Sequence, residues 1–449
     1  MSFARIILRT MDDQESFFAG NRNPRFTATA PGSLDIMGGT AGYFGSLVLQ
    51  MPVQPRIQVT VALRTDGLIR IQVSNAGQNP PSKIVSSGLA KPGGSIEYLR
   101  DVLEQTAGGG WAVYVAGCLL ALQQGNGINI SGVDVFLDVQ LPVNEAIVPA
   151  MVALIHVLAQ AYNLAFVGTE LPVLARKAAS LVTGRPFGLA GFLAAHLGEA
   201  GKILPILCQP DHVSDSFPVP EGLHFVGINS GKPNPAENDA RATMRTAALM
   251  GYTILALHEG AYPHELQLAR ETGQREQLLY NGYLANITPR EFEDRYAWLP
   301  KQLEGSDFTD KYGFTIDPLA EVKPHETYNI LQATCHPVYE HTRTQYFSLL
   351  LQHFPPRTDH EMHGKSLRQL GSWMQQSHES HAACGLGSPE TDAIVQMARE
   401  NAGNGVYGAK ATASGAVCLL CDGEKGLATA HKIHDAYQQQ HGGQVSLFL

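Results

Sequence analysis

The sequence lacks the features that mark membrane, secreted and repetitive proteins. No run approaches eighteen apolar residues, so no segment has the composition of a membrane-spanning helix. The opening residues, Met1 to Arg5, show neither the apolar core nor the small-residue cleavage site of a signal peptide. The sequence also shows no internal repeat, low-complexity tract or coiled-coil pattern. We therefore expect a cytoplasmic globular protein.

Positive charge is also scarce. The 32 lysine and arginine residues stand against 41 acidic residues, which gives a formal net charge of −9. This balance argues against nucleic acids and anionic membranes and leaves small molecules or proteins as partners. With 449 residues, of which 44% are hydrophobic and 16% charged, the chain can build two domains with ordinary cores.

Cysteine is rare, and its distribution favours neither disulfides nor a metal site. Cys418 and Cys421 have the spacing of metal ligands, but no second pair accompanies them and the surrounding run is apolar. We interpret this run as a packed strand and expect reduced thiols in the core. The six cysteines occupy positions 118, 208, 335, 384, 418 and 421.

Residues 133–164 have the form of an anion site without the residue types that such a site uses. Residues 133–141 alternate as in a half-buried strand, and residues 149–162 are apolar on nearly all sides, as in a buried helix. A strand, a tight loop and a helix N-terminus often bind phosphate, because unpaired N–H groups and the helix dipole point outward there. The intervening loop, residues 142–148, contains no glycine and no serine.

The chain changes character near residues 209–222, a loop rich in proline and aspartate that is our candidate domain boundary. Before this loop, residues 56–74 predict a β-hairpin. After it helices dominate, and Thr288 predicts a helix start with a capping box and a proline in the first turn. The other predicted helices cover residues 96–105, 111–122, 171–180, 237–257, 264–280, 338–353, 366–377 and 389–401. The other predicted strands cover residues 204–208, 224–228, 407–411 and 416–420.

Three parts of the chain together resemble one enzyme family. Residues 30–52, which include Pro-Gly-Ser-Leu-Asp-Ile-Met-Gly-Gly, resemble the sugar-binding signature of galactokinases in the form seen in L-arabinokinases. Residues 184–192 resemble the segment that carries the catalytic aspartate in those enzymes. Residues 378–388 and 407–410 resemble their C-terminal domain. Because this order runs through nearly the whole chain, the sequence is similar to the GHMP kinase superfamily, in its galactokinase and L-arabinokinase branch.

The resemblance implies an α+β fold of two domains. Residues 1–210 would form a domain like domain 2 of ribosomal protein S5, which holds the sugar signature and the phosphate-loop equivalent. Residues 211–449 would form a ferredoxin-like domain. The resemblance also implies a cleft between the domains, in which ATP phosphorylates a sugar at its anomeric hydroxyl.

The positions that carry chemistry in the family hold other residues here. The arginine of the first motif corresponds to Ser33, and a sugar-binding aspartate corresponds to Gly42. The catalytic aspartate corresponds to Gly191, so we assign no catalytic residue. The serines of the phosphate loop correspond to residues 148–150, and the Mg²⁺-binding glutamate to Leu154. The phosphate-loop equivalent comprises Val143, Asn144, Glu145, Ala146, Ile147, Val148 and Pro149.

Two residues of this loop make a nucleotide site still less favourable. Glu145 places a negative charge where the triphosphate would lie, and its carboxylate could itself satisfy the helix N-terminus. Pro149 removes one N–H donor. Phosphoryl transfer depends on positioning and on charge stabilisation by a metal, N–H groups and cations. We therefore expect activity by the family mechanism to be impaired or absent.

The rest of the sugar signature admits two interpretations. Asp35 and the pair Gly38–Gly39 could line a sugar pocket, or the glycines could form a tight turn that Asp35 caps. The sugar-pocket candidates are Ser33, Asp35, Gly38, Gly39, Gly42 and Tyr43. The other cleft candidates are Arg185, Ser414 and Gly415.

For several charged and titratable residues, the sequence allows either a role in a ligand site or a purely structural role. His378 and His381 could share a metal ion, but packing of the C-terminal domain is the favoured interpretation and no metal is expected. Arg185 is an anion contact or, by preference, a surface residue at a helix start. Lys410 is a remote candidate for the cleft.

Taken together, the motifs favour a degenerate sugar kinase that keeps the GHMP fold and acts in binding, in regulation or as a partner subunit. Two alternatives stay open. One is an active sugar 1-kinase that uses Asp35, Glu145 or Asp211 in place of the missing carboxylates, and the other is a different enzyme that reuses the cleft. No cofactor is expected unless the active-kinase alternative holds, which requires ATP and Mg²⁺. Expected partners are a small sugar or nucleotide, a protein or a second copy of the chain, but no nucleic acid or membrane.

Overall fold

The computed structural model describes residues 12–74, 82–85, 109–141, 143–184, 186–209, 212–232, 235–443 and 445–449. The chain divides into two units. The first unit comprises Met1–Ser33 and Pro52–Gly198, and the second comprises Leu34–Met51 and Glu199–Leu449. The predicted family domains, residues 1–210 and 211–449, divide the chain at a different place and stay a prediction.

Helices and strands occur throughout the described part of the chain, and strands β1 and β2 contribute residues to both units. Up to residue 198 the elements are β1 (Arg25–Met37), β2 (Leu47–Leu63), β3 (Leu68–Ser74), β4 (Ser82–Val85), α1 (Gly109–Asn126), β5 (Val133–Val139), α2 (Val143–Ala161), α3 (Glu170–Thr183) and α4 (Ala190–Leu197). From residue 199 they are β6 (Lys202–Leu207), β7 (His212–Val213), β8 (Phe217–Pro218), β9 (Leu223–Asn229), α5 (Pro235–His258), α6 (Pro263–Thr272), α7 (Pro289–Arg295), β10 (Leu303–Glu304), α8 (Gly305–Tyr312), β11 (Thr327–Tyr328), α9 (Ile330–Gln352), α10 (His360–Ala383), α11 (Pro389–Glu400), β12 (Val406–Ala411), β13 (Ala416–Asp422), α12 (Gly423–His441) and β14 (Ser446–Phe448).

In the first unit, β5 lies between β3, to which it is parallel, and β2, to which it is antiparallel. The predicted hairpin of residues 56–74 is therefore wrong, because β5 separates its two strands. The link between β2 and β3 passes beside the start of β5, where the N–H groups of Arg64 and Gly67 donate to the carbonyl groups of Gly132 and Ser131 at 2.9 and 2.7 Å. Alternation identifies a strand but does not reveal that a later strand enters between two neighbours.

Strand β5 is buried on both faces from Val133 to Leu137, so its interpretation as half-buried is wrong. The buried carboxylate of Asp134 accepts hydrogen bonds from Arg70 at 2.5 Å, Asn21 at 2.9 Å and Arg64 at 3.1 Å. Burial by itself would raise the pKa of Asp134, but these three donors outweigh burial and the pKa is lowered. A carboxylate can lie inside the fold only with such partners, and the alternating pattern does not display them.

The helices of the first unit agree largely with the sequence. Helix α2 packs against α1, α3 and α4 and buries most of its length. Helices α1 and α3 confirm the helical predictions for residues 111–122 and 171–180. The predicted helix over residues 96–105 lies outside the described residues.

The second unit contains an antiparallel sheet of order β12-β13-β9-β14, with α11 and α12 packed on it. Cys418 and Cys421 lie in β13 and are buried, which confirms the interpretation of their run as a packed strand. All six cysteines are free thiols, and burial raises the pKa of both cysteines in β13. Strand β6 pairs with the first residues of β2 and with the short strands β7 and β8.

In the helical part of the second unit, one helix ends earlier than predicted and one predicted cap is present. Helix α6 ends at Thr272 instead of residue 280, because Gly273 adopts φ 75° and the chain then turns through Tyr280 and Asn281 at φ 52° and 55°. Thr288 caps α7 as predicted and accepts from the N–H of Glu291 at 3.2 Å.

The reciprocal half of the predicted capping box at Thr288 is replaced by side-chain contacts. The Glu291 carboxylate accepts from the Tyr280 hydroxyl at 2.5 Å and from Arg295 at 3.1 Å. These two partners, one of them the cation Arg295, engage the carboxylate, so tertiary contacts decide where it lies. No helix among the described residues is long and apolar enough to cross a lipid bilayer.

Candidate functional site

The sugar signature forms a sharp turn in the second unit, between β1 and β2. A 3-10 helix, Gly39–Phe44, makes up most of the turn, and Gly38 precedes it at φ 97°. A Cβ atom at position 38 would lie 2.4 Å from the carbonyl oxygen of Leu47. The backbone therefore requires glycine at this position, whether or not a ligand binds there.

Asp35 holds this turn and is itself buried, with only 6% of its surface exposed. Its Oδ1 atom accepts from the N–H of Gly39 at 3.1 Å. Its Oδ2 atom lies 3.0 Å from Nζ of Lys410, a residue of β12 that is 2% exposed. Both carboxylate oxygens therefore have partners inside the fold, as the interpretation of Asp35 as a cap requires.

Lys410 is more important than its weak signal in the sequence indicated. Burial by itself would lower the pKa of the Lys410 ammonium, but Asp35, with smaller contributions from Cys418 and Glu340, outweighs burial and the pKa is raised. The ammonium therefore stays charged and compensates Asp35. The two residues lie 375 positions apart, so no local pattern could reveal this pair.

Helix α9 supports both ends of the signature turn. Oε1 of Glu340 accepts from the N–H of Gly38 at 3.3 Å and from the Ser377 hydroxyl at 2.6 Å, while its other oxygen pairs with Arg343. Nδ1 of His341 accepts from the N–H of Leu47 at 2.9 Å. His341 therefore positions the turn directly, and Arg343 does so through Glu340.

At the end of the signature, Gly42 and Tyr43 lie in a crowded and positively charged region. A Cβ atom at Gly42 would lie 3.2 Å from the Val48 side chain and 3.3 Å from Sγ of Cys208. An aspartate at this position would therefore displace its neighbours. The ring of Tyr43 lies 5.8 Å from the guanidinium carbon of Arg245.

The first unit brings together three of the positions singled out by the resemblance. A Cβ atom at Gly191 would lie 3.4 Å from Cγ1 of Val148 and 3.7 Å from Oγ of Ser33. By the resemblance, these positions correspond to the catalytic aspartate, a phosphate-loop serine and the arginine of the family. They hold a glycine, a valine and a serine, so none of the three supplies a charged side chain.

The phosphate-loop equivalent is helical, which corrects the prediction of a loop at residues 142–148. Helix α2 begins at Val143, and Glu145 lies in its first turn with 8% of its surface exposed. The segment contains no glycine that would favour a non-helical backbone, so its residues join the helix. The prediction for Pro149 is also corrected. Another residue at this position would donate its N–H to the carbonyl of Glu145 inside the helix, so proline removes a helical hydrogen bond and not a phosphate contact. Self-capping by Glu145 stays a prediction.

The remaining cleft candidates are placed only in part. Ser414 and Gly415 form the tight turn between β12 and β13, where the Ser414 hydroxyl lies 3.0 Å from that of Thr412 and Gly415 adopts φ 87°. The Arg241 guanidinium donates to the carbonyl of Ala413 in the same turn. Arg185 and Asp211 lie outside the described residues.

The histidines of α9 and α10 are engaged in the scaffold. Nδ1 of His378 accepts from the N–H of Ala411 at 3.3 Å, and Nδ1 of His336 lies 2.8 Å from the Ser380 hydroxyl. Within the described part of the chain, no group of three histidine, cysteine or carboxylate side chains has metal-binding geometry. His378 and His381 are both buried, in keeping with the packing interpretation.

We expect stability to fall as the pH decreases from 6.5 towards 4. Burial lowers the pKa of His336 to about 4 and also lowers the pKa of His341, His378 and His381. Each imidazole therefore takes up its proton at a lower pH in the folded protein than in the unfolded chain, which is protonated near pH 6.5. The contribution of these residues to stability is present above that pH and is lost below it. His336 alone should contribute about 2–3 kcal/mol to the loss by pH 4.

Urea unfolding at pH 7.5, 6.0 and 5.0 would measure this effect, with His336→Gln as the variant that should show a shallower pH dependence. The carboxylates with lowered pKa values, Asp134 and Glu340, lose their contribution only at more acidic pH. A free energy of unfolding that stays constant between pH 7.5 and 5.0 would contradict the prediction.

Comparison with known proteins connects this geometry to one superfamily. No family model matches the chain. The chain is similar to L-arabinokinase of Arabidopsis thaliana, with 28% identity over 92% of this chain and 44% of that protein, so it spans less than half of its relative's length.

Solved structures extend the similarity to the fold. The galactokinase of Lactococcus lactis in complex with galactose aligns with a TM-score of 0.70 at 18% identity over 98% of this chain and 97% of that one. A homoserine kinase of Cytophaga hutchinsonii aligns with a TM-score of 0.51 at 14% identity over 96% and 95%. The α+β fold and the resemblance to the GHMP kinase superfamily, in its galactokinase and L-arabinokinase branch, are confirmed.

Proposed function

We propose that this protein is a degenerate sugar kinase, in which a GHMP kinase fold serves binding or regulation and no longer transfers phosphate. The observation that carries the proposal is the position of Gly191 beside Val148 and Ser33. Three residues with catalytic roles in the family correspond to these neighbours, and none of the three has a charged side chain here. Three of the changed positions thus lie together in the first unit.

We expect such a change to abolish phosphoryl transfer, for energetic reasons that hold for any kinase. Little covalent chemistry is done by the protein, so the rate depends on positioning and on charge stabilisation. Loss of a general base alone typically costs about 10²- to 10⁴-fold in rate. Here the phosphate cradle and the metal ligands are replaced together with the base, and each loss lowers the rate further.

The residues present do not fit the ATP and Mg²⁺ of the family. The family's magnesium-binding glutamate corresponds to Leu154, which is fully buried in α2. Glu145 already lies in the first turn of α2. Its negative charge interacts favourably with the helix dipole at the N-terminus, as the charge of a bound phosphate would. We therefore derive no catalytic step through a nucleotide.

An active kinase with a rebuilt site is the less favoured candidate. Asp35, one of the three substitute carboxylates, is held between Lys410 and the N–H of Gly39. A base must be within hydrogen-bond reach of the proton that it accepts, and both oxygens of this carboxylate already have partners inside the fold. Sugar binding without phosphorylation is compatible with the retained signature, and galactose and L-arabinose are the probes that the similar proteins suggest.

Titration with ATP and Mg²⁺ by calorimetry, followed by an assay of sugar-dependent ADP release, tests the proposal. We expect no saturable ATP binding and no turnover above background with galactose or L-arabinose, while an active galactokinase serves as the positive control. Clear ATP binding together with sugar-dependent ADP release would refute the proposal.

The double variant Glu145→Ala/Pro149→Ser probes the phosphate-loop equivalent directly. It removes the competing charge and adds one hydroxyl, yet we expect it to remain inactive because Gly191 still supplies no base. Detectable kinase activity in this variant would show that our assignment of the catalytic position is wrong. Circular dichroism of the variant provides the control for folding.

A further inference from the structure

Two arginines of the second unit share one carboxylate beside the sugar signature. Arg245, on α5, pairs with Oδ2 of Asp317, and Nη2 of Arg275 lies 3.6 Å from the same oxygen. The other carboxylate oxygen accepts from the N–H of Leu319 at 2.8 Å. The three charged groups carry a net charge of +1, because one aspartate faces two guanidinium groups.

Aromatic rings orient both guanidinium groups. Tyr43 of the signature lies 5.8 Å from the guanidinium carbon of Arg245, and Tyr283 lies 5.7 Å from that of Arg275. Tyr283 is in turn packed on the end of the signature, since a Cβ atom at Gly45 would lie 2.6 Å from its ring. The arginine pair is therefore part of the structure that surrounds the signature turn.

The loop of residues 280–282, which borders this region, adopts an uncommon backbone conformation. Tyr280, Asn281 and Gly282 have φ angles of 52°, 55° and 76° in succession. Left-handed residues other than glycine are uncommon, and they persist where the surrounding structure holds them. At Gly282 a Cβ atom would lie 2.8 Å from Cβ of Arg275, so the glycine makes room for the arginine stem.

Arg275 has donors to offer to a ligand. Its only ion pair among the described residues, at 3.6 Å from Asp317, is too long for a good hydrogen bond, and 20% of its side chain is exposed. Burial and the neighbouring charge of Arg275 lower the pKa of Arg245, although Asp317 opposes them. A further arginine, Arg270, donates to the carbonyls of Thr315 and Asp317 and adds positive charge to the same region.

We propose that Arg245 and Arg275 form an anion-binding site, beside Tyr43 and Tyr283, for the phosphate or carboxylate group of a small molecule. Guanidinium groups bind both anions through paired N–H donors, and stacking on aromatic rings keeps such donors oriented. The site does not depend on the proposed loss of kinase activity, because neither arginine belongs to the phosphate-loop equivalent. The proposed site would prefer an anionic ligand. The composition by itself indicated only that the protein is acidic overall.

Calorimetric titration of the full chain with inorganic phosphate, galacturonate and galactose tests the site. We expect at least one of the two anions to bind, with an affinity that falls as salt is added. Arg275→Gln should weaken that binding by at least about tenfold, because it removes a charged donor. Arg290→Gln, which changes an arginine with 92% of its side chain exposed, is the matched control and should leave binding unchanged.

The comparison of the three ligands separates the possible outcomes. Binding of phosphate alone identifies a phosphate site, and binding of galacturonate alone identifies a carboxylate site. Galactose binding without either anion would support the sugar proposal and overturn this one, as would equal anion binding in Arg275→Gln and the unchanged protein. If Arg275→Gln does not fold, Asp317→Asn decides the matter: removal of the competing charge should tighten anion binding several-fold, and unchanged binding would overturn the site.

Discussion

Replacement of Lys410 by methionine should lower the free energy of unfolding by about 3–5 kcal/mol. The substitution preserves most of the side-chain volume but leaves the carboxylate of Asp35 buried without its cation. That carboxylate still accepts from the N–H of Gly39 at 3.1 Å. A buried charge that loses its partner is costly, because water no longer solvates it and the fold does not compensate it.

The double variant Asp35→Asn/Lys410→Met should recover most of this loss. An asparagine oxygen can still accept from the N–H of Gly39, and no unpaired charge remains. Lys365→Met is the control for the substitution itself, since Lys365 is an exposed lysine in a surface pair with Glu361 and should change stability by less than about 1 kcal/mol. Urea unfolding of the four proteins provides the measurement, and equal losses in Lys410→Met and Lys365→Met would contradict the role of the buried pair.

Gly371→Ala should also be strongly destabilising, by about 3 kcal/mol or more. A Cβ atom at this position in α10 would lie 1.8 Å from the carbonyl oxygen of Tyr407, a backbone atom that cannot rotate away. The helix would have to move off β12, the strand that carries Lys410. The substitution therefore affects the support of the signature turn as well as the packing of the second unit.

Gly364→Ala is the matched control, because it makes the same change in the same helix. Its nearest neighbour would be the flexible end of Arg368, at 3.5 Å. Here alanine should stabilise the protein by about 0.5–1 kcal/mol, since glycine is a poor helix former. Thermal and urea unfolding of both variants would decide the point, and a similar effect of the two substitutions would refute close packing at Gly371.

The retained residues of the sugar signature have structural roles in the fold. Gly38 is required by the close approach of Leu47, and Asp35 is required by the turn and by Lys410. A chain can therefore keep these residues for the sake of its fold after the catalytic positions have changed. Evidence for a ligand has to come from side-chain donors that the fold leaves available, as we propose for Arg275.

Local patterns predicted the elements whose signals lie within a few residues. The cap at Thr288, the packed strand around Cys418 and the helices over residues 111–122 and 171–180 are of this kind, because propensity and capping act over one or two turns. The boundaries were less well predicted. Helix α2 begins at Val143 because no glycine interrupts it, although a family-like loop was expected there.

By itself, the sequence determined the family resemblance and the identity of the changed positions, since both depend only on residue types and their order. Three findings required the tertiary structure. Ser33 and Val148 lie beside Gly191, Asp35 pairs with Lys410, and β5 separates β2 from β3. The physical reason is the same in each case. Contacts between distant residues depend on packing and on the pairing of buried charges, and neither leaves a periodic trace in the chain.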